Sequence, residues 1–264
     1  MWSIFALLIT LLFHTQSHAQ PAPACEHVAP HGLPQIQLSH TQIICRTGYV
    51  VQHDNQARIP IWVSYTLSRA QSLMCAPRPD SFTADPALPV GSRSEPSDYK
   101  RSGYDQGHMA PNADLSWDAT VQQESFYMSN IAPQLPGLNR GLWRELEAIV
   151  RTWAYERGSL TIYVGPIYSR TSTRTIGANR VVVPNAFFKI VIDNQTQEHV
   201  AFIFPHTSTL PDHVRYVQTT VSHIQALTHI QFPIPSNINT QPPLWNINTR
   251  PYQTARSQSC TSNR

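Results

Sequence analysis

Tyr104-Asp105-Gln106-Gly107-His108, Asn130-Ile131-Ala132-Pro133-Gln134 and Asn139-Arg140-Gly141-Leu142-Trp143-Arg144-Glu145-Leu146-Glu147 follow one another between residues 104 and 147. They bring an imidazole, two carboxamides and a carboxylate into one short region. These groups suit the activation of water beside a hard metal ion, which is the chemistry of phosphodiester hydrolysis. A neutral histidine accepts a proton from water near neutral pH. A carboxamide oxygen and several waters satisfy magnesium without neutralising it. A carboxylate farther along can hold the waters around the ion.

Working outward, apolar residues recur at 138, 142, 143, 146, 149, 150 and 153, and Gly158 follows Arg157. That spacing predicts a helix over 138–157. On an ideal helix Asn139 and Glu147 are separated by about 12 Å of rise. Both cannot then ligate one ion directly, so Asn139 is the expected ligand and Glu147 the expected holder of its waters. Upstream, 43–52 and 59–67 are rich in Val, Ile, Trp and Tyr around a turn-like 53–58, which predicts an antiparallel hairpin. A strand over 160–164 and a second hairpin of 186–192 with 199–204 are expected downstream. Short helices are expected over 116–124, capped by Ser116, and over 212–228. Residues 20–40 read as a loose lead-in, 69–103 as a Pro-rich loop, and everything from 231 as loops. The fold class is α+β, an antiparallel sheet core with helices, in one domain over 20–264.

Charged residues make up only 13% of the chain and apolar ones 41%, which excludes a disordered polyelectrolyte. The net charge of +3 is compatible with a polyanionic partner but does not demand one. Residues 4–13 form an apolar run, followed by Ser17-His18-Ala19. This reads as a signal peptide over 1–19, so the mature chain is expected to be secreted or periplasmic, with no membrane-spanning helix. Cys25, Cys45, Cys75 and Cys260 all remain after cleavage. Four cysteines in an exported chain point to two disulfides with three possible pairings. Cys25–Cys45 with Cys75–Cys260 is preferred because it ties down the polar C-terminal tail. There is no C-x-x-C, G-x-S-x-G, H-E-x-x-H or Gly-rich phosphate loop.

The three stretches together resemble the DNA/RNA non-specific endonucleases, secreted nucleases with a ββα-metal motif. That family carries Asp-Arg-Gly-His, an Asn-x-x-Pro-Gln segment, then Asn-Arg-x-x-Trp with Leu-Glu close behind. Glu124-Ser125-Phe126-Tyr127, Trp62-Val63-Ser64-Tyr65 and Val164-Gly165-Pro166 extend the likeness over about residues 45–230. The resemblance implies a phosphodiester hydrolase that cuts DNA and RNA with little sequence preference and leaves 5′-phosphates. It implies His108 as general base, Asn139 as ligand of Mg²⁺ (or Mn²⁺), Glu147 on the ion's waters, Asn130 as a site-positioning residue, and Arg78 on the phosphate. Gln106 departs from the pattern, which has Arg there. Glutamine offers a hydrogen bond but neither the charge nor the bidentate fork of arginine.

Each residue also has a plainer reading. Asn130 can bridge backbone, Glu147 can be a solvated helix residue, and Trp143 fits a core position. Two other functions compete with the nuclease. One is a nucleic-acid-binding module whose turnover is weakened by Gln106. The other is a hydrolase of a different phosphodiester. Nothing in the sequence specifies an oligomer.

Overall fold

The strands, in chain order, begin with β1 (Thr41–Cys45), β2 (Val50–Asp54), β3 (Ile59–Ser68), β4 (Asp105–His108) and β5 (Ile131–Gln134). They continue with β6 (Ser159–Ile167), β7 (Thr175–Ile176), β8 (Val181–Val182), β9 (Ala186–Asp193), β10 (His199–Pro205) and β11 (Gln218–Thr219). A computed structural model describes residues 25–79, 81–234 and 237–262. The expected signal segment 1–19 lies outside them. Seven strands form one antiparallel sheet in the order β1-β2-β3-β6-β9-β10-β11, while β4–β5 and β7–β8 form separate two-stranded ribbons.

Both faces of this sheet are buried, which explains why its central strands are apolar almost throughout. Side-chain alternation sends Tyr65, Val164 and Phe187 to one core, and Trp62, Tyr163 and Phe188 to the other. Gln52 pairs with Trp62 but His53 pairs with Pro60, so β3 carries an extra residue at Ile61. This bulge restores the alternation that Ile61-Trp62 would otherwise break. The first core lies under the long helix and the β4–β5 ribbon, where the three decisive stretches fold.

The helical segments are α1 (Arg69–Ser72), α2 (Pro96–Tyr99), α3 (Ala119–Glu124), α4 (Pro136–Leu138), α5 (Arg144–Arg157), α6 (Val221–Thr228) and α7 (Arg250–Ser262). The run 43–52 is two strands, because the chain turns at Gly48, where a Cβ would stand 2.3 Å from Val121 Cγ1. The cap of α3 is Asp118, whose Oδ1 accepts from Thr120 and Val121 N–H, whereas Ser116 donates to Met74 O and Ala113 O. Only the second half of 212–228 is an α-helix; Val214–Val217 is a single tight turn leading into edge strand β11. The lead-in is held, with Cys25, Val28 and Ala29 buried against the outer face of the sheet.

The C-terminal stretch expected as loops ends in helix α7. Its polar face hid it from a periodicity reading. It docks through buried Tyr252, which donates to Ser72 O, and through Arg256, which donates to Ser72 O and Ser116 Oγ. Disulfide Cys75–Cys260 fastens it, and Cys25–Cys45 is the second bond, as the preferred pairing had it. Among the described residues no helix is long and apolar enough to cross a membrane.

Candidate active site

Strands β4 and β5 pair Asp105 with Gln134, Gln106 with Pro133, Gly107 with Ala132 and His108 with Ile131. Glycine is required at 107, since a Cβ there would lie 2.1 Å from Gln134 Oε1. Asn130 just before β5 is fully buried. Its amide donates to Ala110 O and Ser125 O, both at 2.9 Å, and its Oδ1 accepts from Ala110 N–H at 2.9 Å. Asn130 O also accepts from Met109 N–H at 2.9 Å. Asn130 thus ties down the backbone that follows His108. The His108 ring packs between Phe82 and Phe126, with centroids 5.2 and 5.0 Å away. Its Nε2 is buried without a hydrogen-bond partner among the described residues. Burial, and then the nearby Arg78 guanidinium, push its pKa down to about 3, so the ring is neutral at working pH.

The helix expected over 138–157 is broken. Asn139–Trp143 forms a wide turn in which Gly141 leaves helical geometry (φ −102°, ψ −118°), and regular helix begins at Arg144. The ideal-helix separation of Asn139 and Glu147 therefore does not apply. The turn lets Asn139 donate from Nδ2 to Asp105 Oδ2 at 2.9 Å. Arg140 grips the same carboxylate through Nε (2.8 Å) and Nη2 (2.7 Å). Burial works against the charged Asp105, but the bonds from Arg140 and Asn139 outweigh it and hold its pKa below the usual carboxylate value.

Glu147 stands on α5 above the sheet. Burial raises its pKa to about 7, against the pull of the Lys189 and Arg151 cations. Lys189 is 0% exposed on central strand β9, with Nζ 4.4 Å from the centre of the Trp143 ring and no hydrogen-bond partner among the described residues. Burial depresses its pKa, opposed by the Glu147 charge. Arg151 Nη1 donates to Asp114 Oδ1 at 2.7 Å, and Tyr65 Oη donates to Asp114 Oδ2 at 2.8 Å. Buried Lys189 and Asp114 thus back Glu147 and Arg151, which face the cavity.

Arg78, Gln106, His108, Asn139 and Glu147 line one open cavity of about 480 Å³, together with Phe82, Asp105, Arg140, Arg144 and Arg151. Five of the six residues singled out in the sequence are thus brought together, and Asn130 stands behind the wall rather than in it. Arg78 lies over the Phe126 ring at 5.1 Å, and Gln106 Nε2 points at Met128 Sδ, 3.7 Å away. Sequence reasoning missed Asp105 as the anchor of Asn139 and Lys189 as the counter-charge of Glu147. A lysine within the apolar run 186–192 was the available signal for Lys189.

The donor set fits a hard cation. Because its amide nitrogen is engaged by Asp105, Asn139 leaves its oxygen without a partner among the described residues, and Glu147 lines the same cavity. Among the described residues no group of three or more His, Cys, Asp or Glu could hold a metal, and all four cysteines are in disulfides. A carboxamide with a single nearby carboxylate suits an ion that keeps most of its waters.

The model of the DNA/RNA non-specific endonucleases matches residues 28–239. Mitochondrial endonuclease G of Homo sapiens is 31% identical over 175 residues, covering 62% of this chain and 58% of that protein. Nuclease C1 of Cunninghamella echinulata var. echinulata is 30% identical over 177 residues, covering 61% of this chain and 70% of that protein. The chain therefore spans less than two thirds of the length of the mitochondrial relative. The solved structure of EndoG in its complex with EndoGI superposes with a TM-score of 0.69 at 27% identity, covering 83% of this chain and 95% of that one. With the family model matched over most of its length, this chain belongs to the DNA/RNA non-specific endonuclease family.

Proposed function

We propose that residues 20–264 form a single, exported nuclease domain that hydrolyses phosphodiester bonds of DNA and RNA with little sequence preference. The observation that carries this reading is that neutral His108, the free oxygen of Asn139 and the Arg78 and Arg140 guanidinium groups share one open cavity. His108 accepts the proton of the attacking water. Arg78 draws the phosphate in, and a bound phosphate offsets the Arg78 charge that depresses His108, which makes the imidazole a stronger base when substrate is present. The new P–O bond forms as the bond from phosphorus to the 3′ oxygen breaks; the departing 3′ oxygen takes a proton from a water in the cavity, leaving a 5′-phosphate and a 3′-hydroxyl. A magnesium ion at Asn139 would stabilise charge on the phosphoryl and leaving oxygens. Glu147, steadied by Lys189, orders water on that side of the cavity. Asn130 keeps His108 aimed. Contacts to phosphate rather than base edges account for tolerance of sequence. Two disulfides support export to an oxidising compartment.

Analysis of product ends tests the reading. Both DNA and RNA substrates are expected to yield 5′-phosphates and 3′-hydroxyls. A 3′-phosphate or a 2′,3′-cyclic phosphate would place the leaving group on the other side of phosphorus and overturn it.

A further inference from the structure

The cavity carries its cations in an unusual distribution. The strand position two residues before His108, where the family pattern places arginine, is Gln106, and its amide is turned toward Met128 Sδ. Across the same cavity Arg140 is 71% exposed. It is not loose: Asp105, next to Gln106, holds its Nε and one Nη2 proton in a bidentate pair. Two of the five guanidinium N–H groups are so engaged, and the other three have no partner among the described residues. The pair fixes the plane of the guanidinium without hiding it from solvent. Arg140 also lines an adjoining cleft of about 670 Å³ with Arg144 and Arg151, so it stands where the catalytic cavity opens into a second groove.

Resting on the nuclease reading above, we infer that Arg140, clamped by Asp105, is the phosphate-binding cation that position 106 lacks, and that it holds a backbone phosphate of the nucleic acid at the junction of the two grooves. The function of the missing arginine has moved from the strand to the turn after α4. A clamped arginine is a better phosphate ligand than a free one because less side-chain freedom is lost on binding. Asp105 then serves both neighbours, orienting Asn139 with one hydrogen bond and Arg140 with two.

The test compares wild type with Arg140→Gln, Arg140→Lys, Gln106→Arg and the exchanged pair Gln106→Arg with Arg140→Gln. It reads kcat/KM on plasmid DNA with Mg²⁺ and the salt dependence of duplex binding in EDTA. Arg140→Gln is expected to lower kcat/KM about 100-fold. Arg140→Lys should recover part of that, and the exchanged pair should recover most of it. The magnitude of the binding slope against log salt should fall by about 0.9 in Arg140→Gln. Arg140→Gln with kcat/KM and slope like wild type would overturn the inference. So would equal loss in Arg140→Lys together with a raised magnesium requirement, which would make Arg140 only a brace for Asp105. A wild type that does not cut refutes the nuclease reading instead, and the binding slope still decides whether Arg140 contacts phosphate.

Discussion

Asn139 donates its amide N–H to Asp105 Oδ2 at 2.9 Å, and this single bond decides which end of the carboxamide is free. The oxygen is left to the cavity, where a hard cation can take it. Asp105→Ala removes the acceptor and lets the carboxamide turn. The magnesium concentration for half-maximal cleavage is expected to rise several-fold, while Asn139→Ala should lower kcat by about 100-fold or more. A magnesium titration of both variants checks this; an unchanged midpoint in Asp105→Ala would remove Asp105 from the account.

The acid limb of activity should belong to Glu147. Its pKa is raised to about 7, while His108, at about 3, stays neutral through the whole working range. Activity that needs ionised Glu147 falls as pH drops through about 7. Lys189→Met removes a cation that favours the carboxylate, so the limb should move to higher pH. The profile of kcat/KM against pH reads this directly, and a limb that moves to lower pH contradicts the pairing.

Folding stability should weaken on mild acidification because of His53. The ring is fully buried, and burial pushes its pKa down to about 4. Above pH 6.5 the ring is neutral in both folded and unfolded chains. Between 6.5 and about 4 only the unfolded chain takes up the proton, so stability is lost as pH falls, by about 3 kcal/mol from this group. His108 adds a loss of the same sign. His53→Gln should flatten part of the slope in denaturant melts at pH 7 and pH 4.5, and an unchanged slope would exclude His53 as its source.

Cys75–Cys260 closes a loop of 185 residues and pins α7 against the segment that leads to Arg78. On chain entropy alone it is worth at most about 5 kcal/mol. The double variant Cys75→Ser with Cys260→Ser should melt well below wild type and be cut by protease near both ends of α7. A melting temperature within a degree or two of wild type would show that Tyr252 and Arg256 hold the helix unaided.

Most of the polar residues that line the cavity were legible in the chain because they lie close together between 104 and 147, whereas Arg78 comes from a separate segment. The hairpins β2–β3 and β9–β10 were legible because β-branched and aromatic runs flank polar turns. What could not be read depends on contacts between distant segments. The break at Gly141 looks helical by periodicity, and only the pull of Asp105 on Asn139 and Arg140 gives that turn its use. Lys189 gains meaning from Glu147 and Trp143, which lie far from it in sequence. Helix α7 has too polar a face to announce itself and is set by Cys75, Ser72 and Ser116.

The most direct measurement is digestion of plasmid DNA and of RNA by the mature protein with Mg²⁺ and with EDTA, beside His108→Ala. Cutting of both polymers that needs the metal and is lost in His108→Ala is the expected result. Intact substrate with wild type across divalent ions and with both disulfides formed, or cutting that survives in His108→Ala, would contradict it.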